Sequence, residues 1–146
     1  MVADTTRATG TSAREANQTI PVAKTRLWTG RIISALPVLF CIFDGVMKLV
    51  KPPVVVQATV QLGFPESTIV AIGIALLACT ALYVIPRTSV LGAILLTGYL
   101  GGAVATHVRV GAGLFPILFP VVFAMLIWGG LYLREERLRP LIPLRT

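Results

Sequence analysis

The most informative stretch of this chain is IISALPVLFCIFDGVMKLV, residues 32–50, which Lys51, Pro52 and Pro53 follow directly. It is long enough to cross a bilayer, because a hydrocarbon core of about 30 Å needs about 20 apolar residues in a helix. It nevertheless carries Asp44 and Lys48, which stand four residues apart and so share one face of a helix. Charged side chains at membrane depth are costly and normally face protein or water. The stretch therefore predicts a membrane helix whose charged face is shielded by the rest of the chain.

The composition excludes an ordinary soluble domain. Of the 146 residues, 55% are hydrophobic and 13% are charged, whereas soluble domains average about 25% charged residues. The net charge of +7 comes from bases that flank apolar stretches, and no basic face carries stacking residues, so we expect no nucleic-acid partner. Cys41 and Cys79 form neither a CxxC pair nor a ligand spacing with histidine, so we expect no metal site. The expected partner is the lipid bilayer.

Four apolar spans alternate with polar turns. After the first span they cover residues 68–85, 89–107 and 114–133. Residues 53–62 begin with Pro53 and stop at Gly63, which is typical of a short helix lying at the membrane surface; a plain loop is the alternative. The tight turn at residues 86–89 makes the second and third spans antiparallel neighbours. We predict an all-α fold, a four-helix transmembrane bundle with a short interfacial helix between spans 1 and 2.

The flanking regions differ from the membrane domain, residues 27–133. Residues 1–26 are poor in large apolar residues and are predicted to form a disordered tail, while residues 134–146 form a basic tail. Of the 13 lysines and arginines, all but Lys48, Lys51 and Arg109 fall on the side of the two termini. The positive-inside rule therefore predicts that both termini, and both tails, are cytoplasmic.

Ionisable residues converge at the side of the predicted bundle away from the termini. They are Asp44 and Lys48 near the end of span 1, Glu66 at the start of span 2, and His107 and Arg109 at the end of span 3, with Tyr99 two turns deeper than His107. Two hypotheses stay open. In the first, Asp44 forms a structural ion pair with Lys48 or with Arg109 that sets helix register. In the second, Asp44, Lys48 and His107 line a pocket that binds, or relays protons to, a small lipophilic molecule.

The third span carries small residues at helical spacing. Gly98 and Gly102 form a GxxxG pattern, and Gly101 and Ala105 repeat the same spacing. Small residues let a second helix backbone approach closely in a membrane. We therefore expect these four positions to pack against a helix.

Two segments resemble the DoxX-like membrane proteins. The run FDGVMKLVKP, residues 43–52, resembles the G-x-x-K-L-x-x-P signature at the end of their first helix. The glycine-rich third span that ends in His107 is similar to theirs. The resemblance covers about residues 30–133 and implies a small four-helix protein of the bacterial cytoplasmic (inner) membrane, with relatives linked to thiosulfate:quinone oxidation and to membrane oxidoreductase assemblies. The positions that carry over are Gly45, Lys48, Leu49, Pro52 and His107.

Three functional hypotheses follow from the residues and the resemblance. The leading one is a redox-associated membrane subunit that handles a quinone, with Lys48 and His107 donating hydrogen bonds to a carbonyl and Asp44 orienting Lys48. The second is a non-enzymatic lipophile-binding or scaffold subunit that docks a helix of a membrane or redox partner, or of a second copy. A small ion or solute permease is least favoured, because four short spans offer little pathway. The sequence assigns no catalytic residue and does not decide whether the protein is an enzyme.

Overall fold

A computed structural model describes residues 5–135 and 138, with side chains described from Lys24 onward. The helices are α1 (Thr5–Val50), α2 (Pro53–Gln61), α3 (Ile69–Val84), α4 (Ser89–Arg109) and α5 (Leu114–Arg134), with a 3₁₀ turn at Glu66–Thr68 before α3. Four segments are long and apolar enough to span a membrane: Lys24–Val50, Glu66–Val84, Ser89–Arg109 and Leu114–Arg134. These elements confirm the predicted all-α transmembrane bundle with a short helix between its first two spans.

The four long helices form a ring. Helix α1 packs against α3 and α5, and α4 packs against the same two helices, so α1 and α4 stand diagonally across the bundle. The short helix α2 lies against α1 and the 3₁₀ turn. We call this end of the bundle the α2 end, and the opposite end, where α3 turns into α4, the Tyr83 end.

Helix α2 begins and ends at the residues that its sequence predicts. Pro52 has an extended backbone, with φ −62° and ψ 151°, and Pro53 is the first helical residue, where its missing N–H costs no helical hydrogen bond. After Leu62 the helix cannot continue, because Gly63 has a φ of +86°. This value lies in the left-handed region that favours glycine. The segment is therefore a helix rather than the alternative plain loop.

The first helix extends further toward the N-terminus than the sequence predicts. Its backbone is helical from Thr5, whereas residues 1–26 favour a disordered tail. A shortage of large apolar side chains limits burial, but it does not prevent the backbone hydrogen bonds of a helix. Residues 5–20 contain no proline, which would interrupt those hydrogen bonds. The division of the chain into two tails and a membrane domain stays a prediction. Residues 1–4, 136–137 and 139–146 lie outside the described residues.

A buried tyrosine joins three helices at the Tyr83 end. The Tyr83 side chain on α3 is fully buried, and its hydroxyl donates to the Ile127 carbonyl on α5 at 2.9 Å and hydrogen-bonds Ser34 Oγ on α1 at 2.9 Å. The Arg134 guanidinium lies 4.5 Å from the centre of the Tyr83 ring and donates to the Tyr83 carbonyl at 3.1 Å. This end of the ring is thus held by polar contacts that all converge on one residue.

Glycines permit the close contacts of α1 with its two neighbours. A Cβ atom on Gly30 would lie 3.0 Å from the Gly130 carbonyl oxygen, and one on Gly130 would collide with Ser34 Oγ. On the other side of α1, a Cβ atom on Gly73 would lie 3.0 Å from the Gly45 carbonyl oxygen. Such approaches are possible only where a side chain is missing, so these glycines set the spacing of α1 against α5 and α3.

The small residues of α4 do not serve this purpose within the chain. A Cβ atom on Gly98, Gly101 or Gly102 would meet no atom of the described residues within 4 Å, and Ala105 is exposed. Gly98 and Gly102 line a cavity, while Gly101 and Ala105 are exposed and do not belong to its lining. The expectation that these four positions pack against a helix stays a prediction, as does the docking of a helix from another chain.

Candidate functional site

A partly open cavity of about 570 Å³ lies between the helices toward the α2 end. All five helices contribute to its lining, and Val55, Ala58 and Thr59 of α2 and the adjoining Leu62 border it on one side. Gly98 and Gly102 contribute no side chain to fill it.

An ion pair from α1 faces this cavity. Lys48 Nζ donates to Asp44 Oδ2 at 2.5 Å, and the two side chains are 15% and 32% exposed, respectively. Gly73 of α3 makes room for the lysine, since a Cβ atom there would lie 2.8 Å from Lys48 Cβ. An ammonium group has three donors and no acceptor. Lys48 can therefore remain paired with Asp44 and still donate to a ligand.

Polar groups of α4 line the cavity from the diagonal position. Tyr99, Thr106 and His107 all belong to its lining. The Nδ1 atom of His107 is buried and has no hydrogen-bond partner among the described residues. Buried polar atoms normally have partners, so this nitrogen is an unsatisfied group on a residue that lines the cavity. Hydrogen-bonding groups thus reach the cavity from both α1 and α4.

Three phenylalanines form an aromatic wall between α1 and α5. The ring centre of Phe40 lies 5.0 Å from that of Phe119 and 4.9 Å from that of Phe123, and the latter two are 4.4 Å apart. All three line the cavity. Aromatic side chains pack well against other flat, apolar rings. This wall was not recognised from the sequence, although the spacing of Phe119 and Phe123 places them on one face of a helix.

Two of the six predicted site residues lie outside the cavity lining. Glu66 Oε1 pairs with Lys51 Nζ at 2.9 Å, and Arg109 Nη2 donates to the Leu62 carbonyl at 2.7 Å. Both contacts lie at the ends of α2. The structure therefore brings Asp44, Lys48, Tyr99 and His107 to one cavity. Glu66 and Arg109 instead contact the residues that flank α2.

The cysteines have separate environments. Cys41 is buried and lines the cavity, whereas Cys79 is half-buried, and both are free thiols. Among the described residues, no group of three or more His, Cys, Asp or Glu side chains is placed to hold a metal ion.

The bundle and the comparisons together establish the class of the protein. Four apolar helices of spanning length define a multi-pass membrane protein. The model of the DoxX-like family matches residues 32–130, and the chain belongs to the DoxX-like family. The match confirms the resemblance inferred from the first and third spans. Neither the comparison with curated proteins nor the comparison with solved structures finds a match.

Proposed function

We propose that this protein binds a small, uncharged, lipophilic molecule in the cavity and serves as a redox-associated subunit of the bacterial inner membrane. The observation that carries the proposal is the placement of Lys48, His107 and Tyr99 beside an aromatic wall in one cavity. Small-molecule sites are concave and mostly apolar, with a few polar groups that orient the ligand. A volume of about 570 Å³ falls within the range of about 300–1,000 Å³ typical of such sites.

A quinone is the ligand that suits these groups best. Its flat ring matches the aromatic wall, and its two carbonyls lie on opposite sides of the ring, as Lys48 on α1 and His107 on α4 lie on opposite sides of the cavity. Asp44 holds the Lys48 ammonium and balances its charge. A carboxylate ligand would leave an unbalanced negative charge in this partly buried site, which is costly. The pair therefore favours a neutral carbonyl over an acid.

The redox role concerns what happens to the bound molecule. A quinone becomes a quinol by taking up two electrons and two protons, so a membrane partner would have to supply the electrons. The distribution of lysine and arginine supports termini in the cytoplasm. In that orientation the cavity lies in the outer half of the membrane.

The experiment compares two neighbouring glycine variants. Gly102→Leu places a side chain in the cavity, while Gly101→Leu places the same side chain outside the lining, and a Cβ atom meets no described neighbour at either position. Each variant is purified in lipid nanodiscs, and its quinone content is measured by extraction and mass spectrometry. A titration with a short-chain quinone then gives the affinity.

We expect Gly102→Leu to lower the quinone affinity at least tenfold, because the added side chain competes for the same space, and Gly101→Leu to leave it unchanged. Lys48→Met should also lower the affinity about tenfold, the effect of losing one hydrogen bond to a charged donor. Equal affinity in wild type and Gly102→Leu would rule out the cavity as the binding site.

A scaffold function is the second candidate, and the exposed part of α4 favours it. Gly101 and Ala105 lie on the helix surface with no packing partner among the described residues, and such positions permit a second helix to approach. If a partner protein or a second copy docks here, Gly101→Leu should abolish its co-purification and leave quinone content intact. Co-purification that survives Gly101→Leu would exclude this face.

A further inference from the structure

We infer that α2 is a hinged lid that closes the cavity on the water side, and that Arg109 is its latch. The inference rests on the proposed function only for the identity of the molecule in the cavity. The movement of α2 can be tested without any ligand, so the two proposals can fail separately.

The position of α2 is that of a cover. Three of its residues, Val55, Ala58 and Thr59, and the adjoining Leu62 and Phe64 line the cavity, and Thr59 is buried. Val54 and Val60, on other sides of the helix, are 67% and 49% exposed. The opposite end of the cavity leads to the Tyr83 end, where the bundle is closely packed. Helix α2 therefore separates this side of the cavity from the water above it.

The ends of α2 have the geometry of hinges. Lys51 has a φ of +55° and Gly63 a φ of +86°, so the chain enters and leaves α2 through left-handed residues. The prolines at positions 52, 53 and 65 have restricted φ angles, which concentrates any rotation at Lys51 and Gly63. The left-handed conformation is unfavourable for lysine, and a residue before proline favours extended backbone, so a change to extended backbone at Lys51 would relieve that cost.

Two polar contacts hold α2 in the closed position. Arg109 reaches from the end of α4 to the Leu62 carbonyl at the end of α2, with an Nη2 to oxygen distance of 2.7 Å. Gly63 leaves room for this guanidinium, since a Cβ atom there would lie 2.7 Å from Arg109 Nη2. At the other hinge, Lys51 pairs with Glu66 at 2.9 Å. Both contacts are accessible to water, which makes them weak enough to open reversibly.

The test measures access to Cys41, which lines the cavity. The chain has two cysteines, so a Cys79→Ser background leaves Cys41 as the only thiol. The protein is held in nanodiscs and treated with a negatively charged, water-soluble methanethiosulfonate reagent, and the modification rate is followed by mass spectrometry. A second reporter, Thr106→Cys in the Cys41→Ser/Cys79→Ser background, reads the same cavity at α4.

We expect Arg109→Gln to raise the modification rate about two- to fivefold at both reporters, because a water-exposed contact of a charged side chain stabilises only weakly. Glu66→Gln should raise it by a smaller factor, and Arg109→Lys should fall between wild type and Arg109→Gln. The matched control is Arg87→Gln, the same change in the exposed turn at the Tyr83 end.

Unchanged rates at both reporters in Arg109→Gln would overturn the lid. Equal increases in Arg109→Gln and Arg87→Gln would also overturn it, because they would show general loosening of the bundle. An increase at both reporters in Arg109→Gln combined with unaltered quinone binding in Gly102→Leu would keep the lid and remove the quinone site.

Discussion

Replacing Lys48 by methionine removes the ammonium group and keeps an apolar stem, which separates the two hypotheses for the Asp44–Lys48 pair. Breaking a fully buried ion pair by removing one partner costs about 3–5 kcal/mol, because the other charge stays buried without compensation. Here the lysine and aspartate side chains are 15% and 32% exposed. Water therefore screens part of the penalty, and we expect Lys48→Met to lower the free energy of unfolding by about 1–3 kcal/mol.

The double variant Asp44→Leu/Lys48→Met tests the same reasoning from the other side. Removing both charges also removes their desolvation cost, so its unfolding free energy should return to within about 1 kcal/mol of wild type. The exposed pair supplies the control, because Lys51 and Glu66 are 32% and 60% exposed. Lys51→Met should cost about 1 kcal/mol or less.

Stability is measured by reversible unfolding in mixed detergent and dodecyl sulfate micelles, and quinone affinity is measured on the same samples. If the pair acts in ligand binding, the double variant regains stability but not affinity. If the double variant regains both stability and quinone affinity, the pair has no role in binding, and only the hypothesis that it sets the helix register is left. An unchanged stability of Lys48→Met would refute the energetic argument itself.

The packing of the Tyr83 end gives two further predictions, both measured by the same unfolding assay. Tyr83→Phe should lower the unfolding free energy by about 1–2 kcal/mol, since it removes two interhelical hydrogen bonds worth on average about 0.6 kcal/mol each in membranes. The control Tyr132→Phe, on α5, should change it little. Equal losses in the two variants would contradict the role of the Tyr83 hydroxyl in joining the helices. Gly130→Ala should cost more than Tyr83→Phe, because the added methyl group collides with Ser34 Oγ, whereas Gly129→Ala meets no described neighbour within 4 Å and should be tolerated. A tolerated Gly130→Ala would contradict the close contact of α1 with α5.

Signals that act locally could be read from the sequence. Proline and glycine predicted a helix at residues 53–62, and the structure has it at Pro53–Gln61. The third span was predicted at residues 89–107 and is Ser89–Arg109. Hydropathy, span length and the residues that stop a helix do not depend on the rest of the fold, which explains why the number and order of helices followed from them.

The rotation of each helix about its axis could not be read in the same way. Counting residues along the spans placed Asp44, Lys48, His107, Arg109 and Glu66 at one level of the membrane, but not on one side. The direction of each side chain depends on contacts with distant parts of the chain.

The partners of Tyr83 show how distant such contacts are. Ser34 and Ile127 are 49 and 44 residues away from it, and nothing in the local sequence marks them as neighbours. The same holds for Gly98 and Gly102, whose spacing is compatible with a helix contact and with a cavity lining. The tertiary structure decides between the two.

The contrast between the two ends of the bundle has a consequence for its dynamics. Segments with few buried contacts open locally at a small free-energy cost, while tightly packed ones exchange their amide hydrogens only when the whole protein unfolds. Amides around Gly30 and Gly130 should therefore be the slowest to take up deuterium, and those of α2 among the fastest. The α2 end can then open locally while the Tyr83 end keeps the four helices packed together.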